Sequence, residues 1–169
     1  SFTAILLDEF AACDVGMGIL KSTRDATGTR WFNSTPRGTG NAHYRIVQLS
    51  RQNARQIRPM RFHWSQHPEY ARGMYRLDKD GTPRVVSKSN PLPPDYFKVN
   101  AELIASIKKR GLWEEYSLRS PWFDVQCGRS TTKAEIAQEL EIDYMGSGYQ
   151  FFDQADVQEL MRLYCCPPR

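Results

Sequence analysis

The sequence predicts an α/β protein: a parallel sheet with flanking helices, joined to a smaller mixed subdomain. Three observations carry this. Phe2–Leu7 (FTAILL) is β-prone and apolar on both faces, the pattern of a central strand in a buried parallel sheet. A second strand-like segment, Thr29–Asn33 (TRWFN), follows one helical stretch later, where a parallel neighbour emerges. Further on, Asp78-Lys79-Asp80-Gly81 marks a tight hairpin between Tyr75–Leu77 and Pro83–Val86, an antiparallel motif of different character. A central strand needs neighbours, so a strand starting at the second residue makes the N-terminus read as cut.

Between the first two strands, Asp14 stands where a cap stands. A short helix runs from it to Arg24 with Val15, Ile19 and Leu20 inward, and Gly28 ends the stretch. Ser34-Thr35-Pro36-Arg37-Gly38-Thr39-Gly40-Asn41 is a loop of small and polar residues. A helix over Asn41–Ala54 follows, with Tyr44, Val47 and Gln48 on one face. Ile57–Trp64 reads as a third strand that Pro59 restricts to an edge or an early position.

After the hairpin, Pro91, Pro93 and Pro94 make a loop. Val99–Lys109 has helical spacing: Val99, Leu103, Ile104 and Ile107 share a face, Lys108-Lys109-Arg110 suit the C-terminal dipole, and Gly111 stops it. Ser120-Pro121 opens a turn. Thr132-Lys133-Ala134-Glu135 has capping-box spacing for a helix to Leu140 that buries Ile136 and Leu140. Ile142–Met145 reads as a short strand before the turn Gly146-Ser147-Gly148. Asp153 caps a last helix with Val157, Leu160, Met161 and Tyr164 on one face, and Cys165-Cys166-Pro167-Pro168 reads as a hinge or linker.

The 169 residues are 40% hydrophobic, 25% charged and 12% aromatic, which excludes disordered, collagenous and low-complexity classes. The apolar run Ala4–Leu7 is far short of a membrane span, and no signal-peptide pattern opens the chain. Four scattered Cys form neither a CxxC pair nor a disulfide ladder, which fits a reduced cytosolic compartment. The net charge of +4 is uneven: residues 1–66 carry 9 basic and 4 acidic groups, residues 67–153 carry 12 and 13. Seven Arg and no acid lie between Asp25 and Glu69, a stripe suited to a polyanion or to a solvated basic face. No base-reading motif accompanies it.

The chemistry concentrates at the end of the first strand. In open α/β sheets ligands bind outside the carboxyl ends of the strands, and Asp8 and Glu9 stand there. Acids so placed reach a bound Mg–nucleotide, one in the metal shell and one orienting the attacking water. This makes Asp8 the Mg²⁺ residue and Glu9 the general base. Taken alone, the pair is equally a strand end with two solvated carboxylates. The second strand runs into Ser34-Thr35-Pro36, whose hydroxyls then lie beside the acids and sense a γ-phosphate; alone, this is a strand-to-loop turn. Arg37-Gly38-Thr39-Gly40 is a lone GxG and a weak phosphate-loop signal.

Taken together, these segments resemble the large terminase subunit of tailed bacteriophages, the DNA-packaging motor. The resemblance rests on ILLDEFA (5–11), NSTPRGTGNAHY (33–44), SPWFDVQC (120–127) and EIAQELEIDYMGSG (135–148), in order and spanning nearly the whole chain. Its most specific parts are the STPxGxxN loop and the IAQELxxDYxGSG segment. It implies part of a RecA-like P-loop ATPase fold of the additional-strand type. Asp8 and Glu9 match the family's Walker B acids, and Ser34 and Thr35 its coupling motif, with ATP and Mg²⁺ as ligands. It further implies double-stranded DNA, a portal protein and a small terminase subunit as partners. The implied assembly is a homo-oligomeric ring docked transiently on the procapsid in the host cytoplasm, with no membrane.

Two departures matter. The 169 residues contain no GxxxxGK(S/T) loop, which in this family lies upstream of the Walker B strand, and no later acid cluster of the nuclease kind. On this resemblance residues 1–66 are the Walker B and coupling-motif half of the ATPase core. Residues 67–153 are its remainder with the hairpin and a helical insert, and 154–169 a helix and hinge toward a nuclease domain. The fragment alone is then expected to be inactive. A superfamily 2 helicase, which also pairs a DE strand with an S/T-rich motif, is the nearest alternative, although the IAQEL…GSG segment argues against it. A non-catalytic module binding nucleic acid through the Arg stripe is another.

Other chemistry-bearing residues read as structural. His63 and His67 are four apart without a helix to align them, and His43 sits inside the GNAHY segment. Cys13 lacks a His base and Cys165-Cys166 ends a helix. Trp113, Tyr116, Trp122 and Phe123 read as one packed cluster. Arg51, Arg55 and Arg58 share a helical face that is solvated or ion-paired, and Asp143 and Asp153 precede a turn and cap a helix.

Overall fold

The first apolar run forms strand β1, Ile5–Leu7, and β2, Arg30–Phe32, lies parallel to it with Ile5 opposite Arg30 and Leu7 opposite Phe32. The computed structural model describes residues 2–52, 56–86, 90–148, 160 and 162–164. They make a mixed α/β protein with this two-stranded parallel sheet and a three-stranded antiparallel one. The chain divides into two compact units, Ser1–Met60 with Ala137–Arg169, and Arg61–Ile136.

In the first unit the crossover between the strands carries α1, Gly16–Ser22, and α2, Ala42–Gln52, follows β2. Phe10, Ala42 and Ile46 form its buried core, with Leu7, Ile19, Leu20 and Phe32 packed on it. Gly16 is needed where α1 meets α2: a Cβ there would lie 2.8 Å from the Cβ of Ala42. Val15, not Asp14, occupies the N-cap of α1, without a side-chain cap. The buried face of α2 is Ala42, His43, Ile46 and Ser50 rather than the face of Tyr44, Val47 and Gln48. Asn41 caps this helix, its Oδ1 accepting from the Tyr44 N–H at 2.9 Å.

Burial of the first strand on both faces is not met. Side chains alternate along a strand, and both helices pack on the Leu7 and Phe32 side. Leu6 and its register partner Trp31 stay 68% and 53% exposed. Ile57–Trp64 is not a strand: Pro59 has no N–H to donate to a ladder. Of that segment only Trp64 enters regular structure, opening a 3₁₀ turn over Trp64–Gln66.

The second unit contains the hairpin β3, Tyr75–Leu77, and β4, Pro83–Val85, paired antiparallel with Tyr75 opposite Val85. Asp78 organises the turn: its Oδ1 accepts from the Asp80 and Thr82 N–H groups at 3.1 and 2.8 Å, and Gly81 supplies the φ of +71°. The helix expected over Val99–Lys109 is two, α3, Tyr96–Val99, and α4, Ala101–Lys109, with Asn100 between them. Val99 therefore leaves the shared face and is 71% exposed, whereas Ile104 and Ile107 are buried. Gly111, at φ +69°, follows the end of α4.

Strand β5, Leu118–Arg119, pairs with β3 and leads into α5, Pro121–Arg129, where only a turn was expected. Ser120 caps α5, its Oγ accepting from the Phe123 N–H at 3.1 Å, with proline in the first turn. Tyr75, Leu77, Leu92, Tyr96 and Ile104 form this unit's core. The expected four-membered aromatic cluster divides: Trp113 packs on Tyr75, Trp122 stacks on Tyr70 at 4.1 Å, Phe123 stacks on Trp64 at 4.9 Å, and Tyr116 is exposed. Arg119 and Asp124 lie buried at the centre, 1% and 0% exposed, with Nε to Oδ1 at 2.7 Å. Asp124 also accepts from the hydroxyls of Tyr75 and Tyr96. Burial first, then the Asp124 carboxylate, holds both phenols well above their usual range, so they remain donors.

The helical stretch after α5 begins as α6, Lys133–Ile136, with Thr132 Oγ1 accepting from the Glu135 N–H. It does not continue as α-helix to Leu140. Ala137–Glu141 is a π-helical turn, and Ile142 adopts φ +54° where a strand was expected. Asp143 then closes a turn by accepting from the N–H groups of Met145 and Gly146. Asp153, Arg55 and Cys165-Cys166-Pro167-Pro168 lie outside the described residues. Among the described residues no helix is long and apolar enough to cross a membrane.

Candidate functional site

The parallel pairing of β1 and β2 brings their carboxyl ends side by side, and with them the two segments singled out in the sequence. The ladder continues past the strands: Asn33 N–H donates to Leu7 C=O at 2.9 Å, and Phe10 N–H to Asn33 C=O at 3.1 Å. Asp8 is exposed and tethered, its Oδ1 accepting from the Asn33 amide Nδ2 at 2.7 Å and from the Glu9 N–H at 3.0 Å. In the sequence Asn33 is only the end of a strand. Its position directly before Ser34, level with the acids once the strands pair in parallel, is the signal that could have identified it.

Glu9 occupies the left-handed region, φ 47° and ψ 38°, and precedes a 3₁₀ turn over Phe10–Ala12. That conformation costs a non-glycine residue about 1–2 kcal/mol, and such strain collects at functional positions. The turn folds the chain back so that Phe10 is buried while Glu9 stays exposed and faces a small cavity of about 110 Å³. Ser34, Thr35, Arg37 and Gln138 also line that cavity. The Ser34 oxygen accepts from the Ala11 N–H at 3.1 Å, which leaves its proton to donate. The Thr35 oxygen accepts from the Gln138 amide at 3.5 Å.

The structure therefore brings together Glu9, Ser34 and Thr35 around one cavity, with Asp8 next to it in sequence and tied to the residue before Ser34. Arg37 adds the cation of the site. The Arg37–Gly40 stretch does not form a phosphate cradle of its own: the Gly38 N–H donates to Ser147 Oγ at 3.1 Å, and Asn41 Nδ2 donates to the carbonyls of Arg37 and Gly38. Sequence reasoning misses Gln138, although it sits inside the IAQEL string that carries the resemblance.

For a magnesium ion the donor set is modest. Among the described residues no group of three or more His, Cys, Asp or Glu side chains converges. Magnesium keeps several waters and uses one or two carboxylates plus substrate phosphates. Asp8, whose two hydrogen bonds both fall on Oδ1, fits a shell of that kind. The cavity is smaller than the about 300–1,000 Å³ that houses a whole small-molecule ligand. Its size suits water or one phosphoryl group, not a nucleotide.

The other residues weighed have structural partners. His43 is buried, stacks on Tyr144 at 6.0 Å and is held below its ordinary pKa by burial. His63 caps the Trp64–Gln66 turn and His67 stacks on Tyr70 at 4.0 Å. Cys13 packs against the first unit's core and Cys127 is buried. In the basic stripe, Arg30 has a structural role, donating to Leu20 C=O at 2.9 Å and lying over the Phe32 ring. Arg45, Arg51, Arg58 and Arg61 are exposed. A larger cavity of about 350 Å³ in the second unit is lined by Phe97, Ile104, Lys108 and Trp113 and holds no acid. In comparisons with known proteins, no family model, curated protein or solved structure matches the chain.

Proposed function

We propose that the chain is part of a viral DNA-packaging ATPase of the large terminase kind, a RecA-like additional-strand domain that couples Mg-ATP hydrolysis to movement of double-stranded DNA into a procapsid. The observation that carries this reading is the convergence of Glu9, Ser34 and Thr35 on one cavity at the carboxyl ends of two parallel strands, with Asp8 held alongside. An oxyanion-sized cavity beside two acids suits the terminal phosphate of a nucleotide whose remainder is held by chain outside residues 1–169.

In this reading Asp8, kept in place by Asn33, takes a position in the magnesium shell. The ion, when bound, neutralises charge on the phosphate oxygens. Glu9 accepts a proton from the attacking water, and the kinked backbone sets its carboxylate at the cavity rather than in the strand. Ser34 and Thr35 donate their hydroxyl protons to the phosphoryl group, and Arg37 attracts its charge. Loss of the phosphate removes the partners of both hydroxyls, which is how the loop reports nucleotide state to moving parts. A portal protein, a small terminase subunit and further copies in a ring complete the assembly on the procapsid in the host cytoplasm.

The test is ATP turnover by the full-length protein with and without double-stranded DNA. The motor reading expects magnesium-dependent turnover that duplex DNA stimulates without strand separation. Strand separation coupled to turnover would favour the superfamily 2 helicase, and DNA binding with no turnover would favour the non-catalytic module.

A further inference from the structure

We infer that Gln138 is a positioning residue for Thr35, a role that rests on the phosphoryl-transfer reading of the cavity. The residue comes from a segment 103 positions away, in the π-helical turn Ala137–Glu141. Such turns are rare and concentrate at functional sites.

The turn is pinned on both sides. Asp143 N–H closes it onto Ala137 C=O at 2.8 Å. Beyond it, buried Ser147 accepts from the Gly38 N–H, and Tyr144 packs on His43 and Tyr44 with ring centroids 6.0 and 5.2 Å away. Gly38 is at φ +68°, and a Cβ there would stand 3.0 Å from the Gly148 Cα. The whole 137–148 segment is thus clasped onto the loop that carries Ser34 and Thr35, and Gln138 is its contact inside the cavity.

The chemistry depends on hydrogen-bond direction. A threonine hydroxyl has one proton and two acceptor sites. The Gln138 amide donates to Thr35 Oγ1 at 3.5 Å and to Glu139 Oε1 at 2.9 Å, so Glu139 fixes which end of the amide faces Thr35. With an acceptor site of Thr35 filled by an N–H, its own proton points elsewhere, toward the cavity shared with Glu9 and Arg37. The backbone N–H of Ala11 does the same for Ser34. Both hydroxyls are thereby preset as donors to one phosphoryl-sized group.

The experiment measures steady-state hydrolysis of Mg-ATP by the full-length protein carrying Gln138→Glu, Thr35→Val, both together, and Glu9→Gln in parallel. Gln138→Glu keeps the shape and removes the donor, so the Thr35 proton turns to the new carboxylate. Gln138→Ala provides a second variant should the first fail to fold. Either is expected to lower kcat about 10-fold, as small misplacements of reacting groups do, with KM for ATP within twofold. The double variant is expected to match Thr35→Val alone. A kcat within twofold of the parent, losses that multiply in the double variant, or a change in KM alone would overturn the inference while Glu9→Gln is inactive. Full turnover in Glu9→Gln would overturn the phosphoryl-transfer reading and this inference with it.

Discussion

Replacing Glu9 by Gln in the full-length protein is expected to cut ATP turnover by about 10²–10⁴-fold, the span associated with loss of a general base. ATP binding should be kept, because Gln fills the same space and Asp8 retains its bonds to Asn33 and the Glu9 backbone. The backbone at this position predicts a second, opposite effect. Glu9→Gly relieves the left-handed conformation at φ 47° and is expected to stabilise the first unit by about 1 kcal/mol while abolishing turnover. Stability gained together with activity lost is the signature of strain held for function. An ATPase rate that survives Glu9→Gln would remove the residue from the chemistry, and a Glu9→Gly chain less stable than its parent would remove the strain.

The second large effect concerns stability. Asp124→Ala in the second unit leaves the Arg119 guanidinium buried without its counter-charge and is expected to cost about 3–5 kcal/mol. Burial opposes the charge on Arg119, and the Asp124 carboxylate together with Cys127 and Tyr75 outweighs it, holding that pKa above its ordinary value. Tyr75→Phe removes one donor to the same carboxylate and should cost about 1.5–3 kcal/mol. Replacing Arg119 by Met together with Asp124 by Leu should cost far less than Asp124→Ala alone, since no unpaired charge remains. Urea unfolding followed by tryptophan fluorescence reads mainly this unit, because three of the four tryptophans, Trp64, Trp113 and Trp122, belong to it, and Trp31 to the first unit. A loss below about 1 kcal/mol in Asp124→Ala would show that water reaches the pair.

The parts of this structure that are legible in the sequence are those governed by local chemistry. The first parallel strand lies in an apolar run and the second is centred on the β-prone pair Trp31-Phe32, and the Asp78–Gly81 turn carries its acceptor and its glycine within four residues. Since Asp8-Glu9 and Ser34-Thr35 each end one of those strands, their meeting follows from parallel pairing. The features that are not legible depend on contacts across the chain. Ile57–Trp64 has strand-like composition, but Pro59 interrupts any ladder it would join. The helix over Pro121–Arg129 carries a Ser cap and a proline in its first turn, a start signal that looks the same as a turn. Leu6 and Trp31 look like core residues until both helices pack on the opposite face. Gln138 enters the site through a π-helical turn whose register no spacing rule predicts, and the Arg119–Asp124 pair is buried only because two tyrosines and an aromatic shell close over it.

In the proposed phosphoryl-transfer reading, Asp8 and Glu9 act on a nucleotide whose phosphates are cradled by chain preceding Ser1. The most direct measurement is to sequence the coding DNA upstream of this segment. The phosphoryl-transfer reading expects an in-frame region encoding a strand that runs into a GxxxxGK(S/T)-like loop and a helix, because the cavity beside Glu9 is too small to hold the nucleotide by itself. A start codon immediately before Ser1, or an upstream region with no phosphate loop, would contradict it.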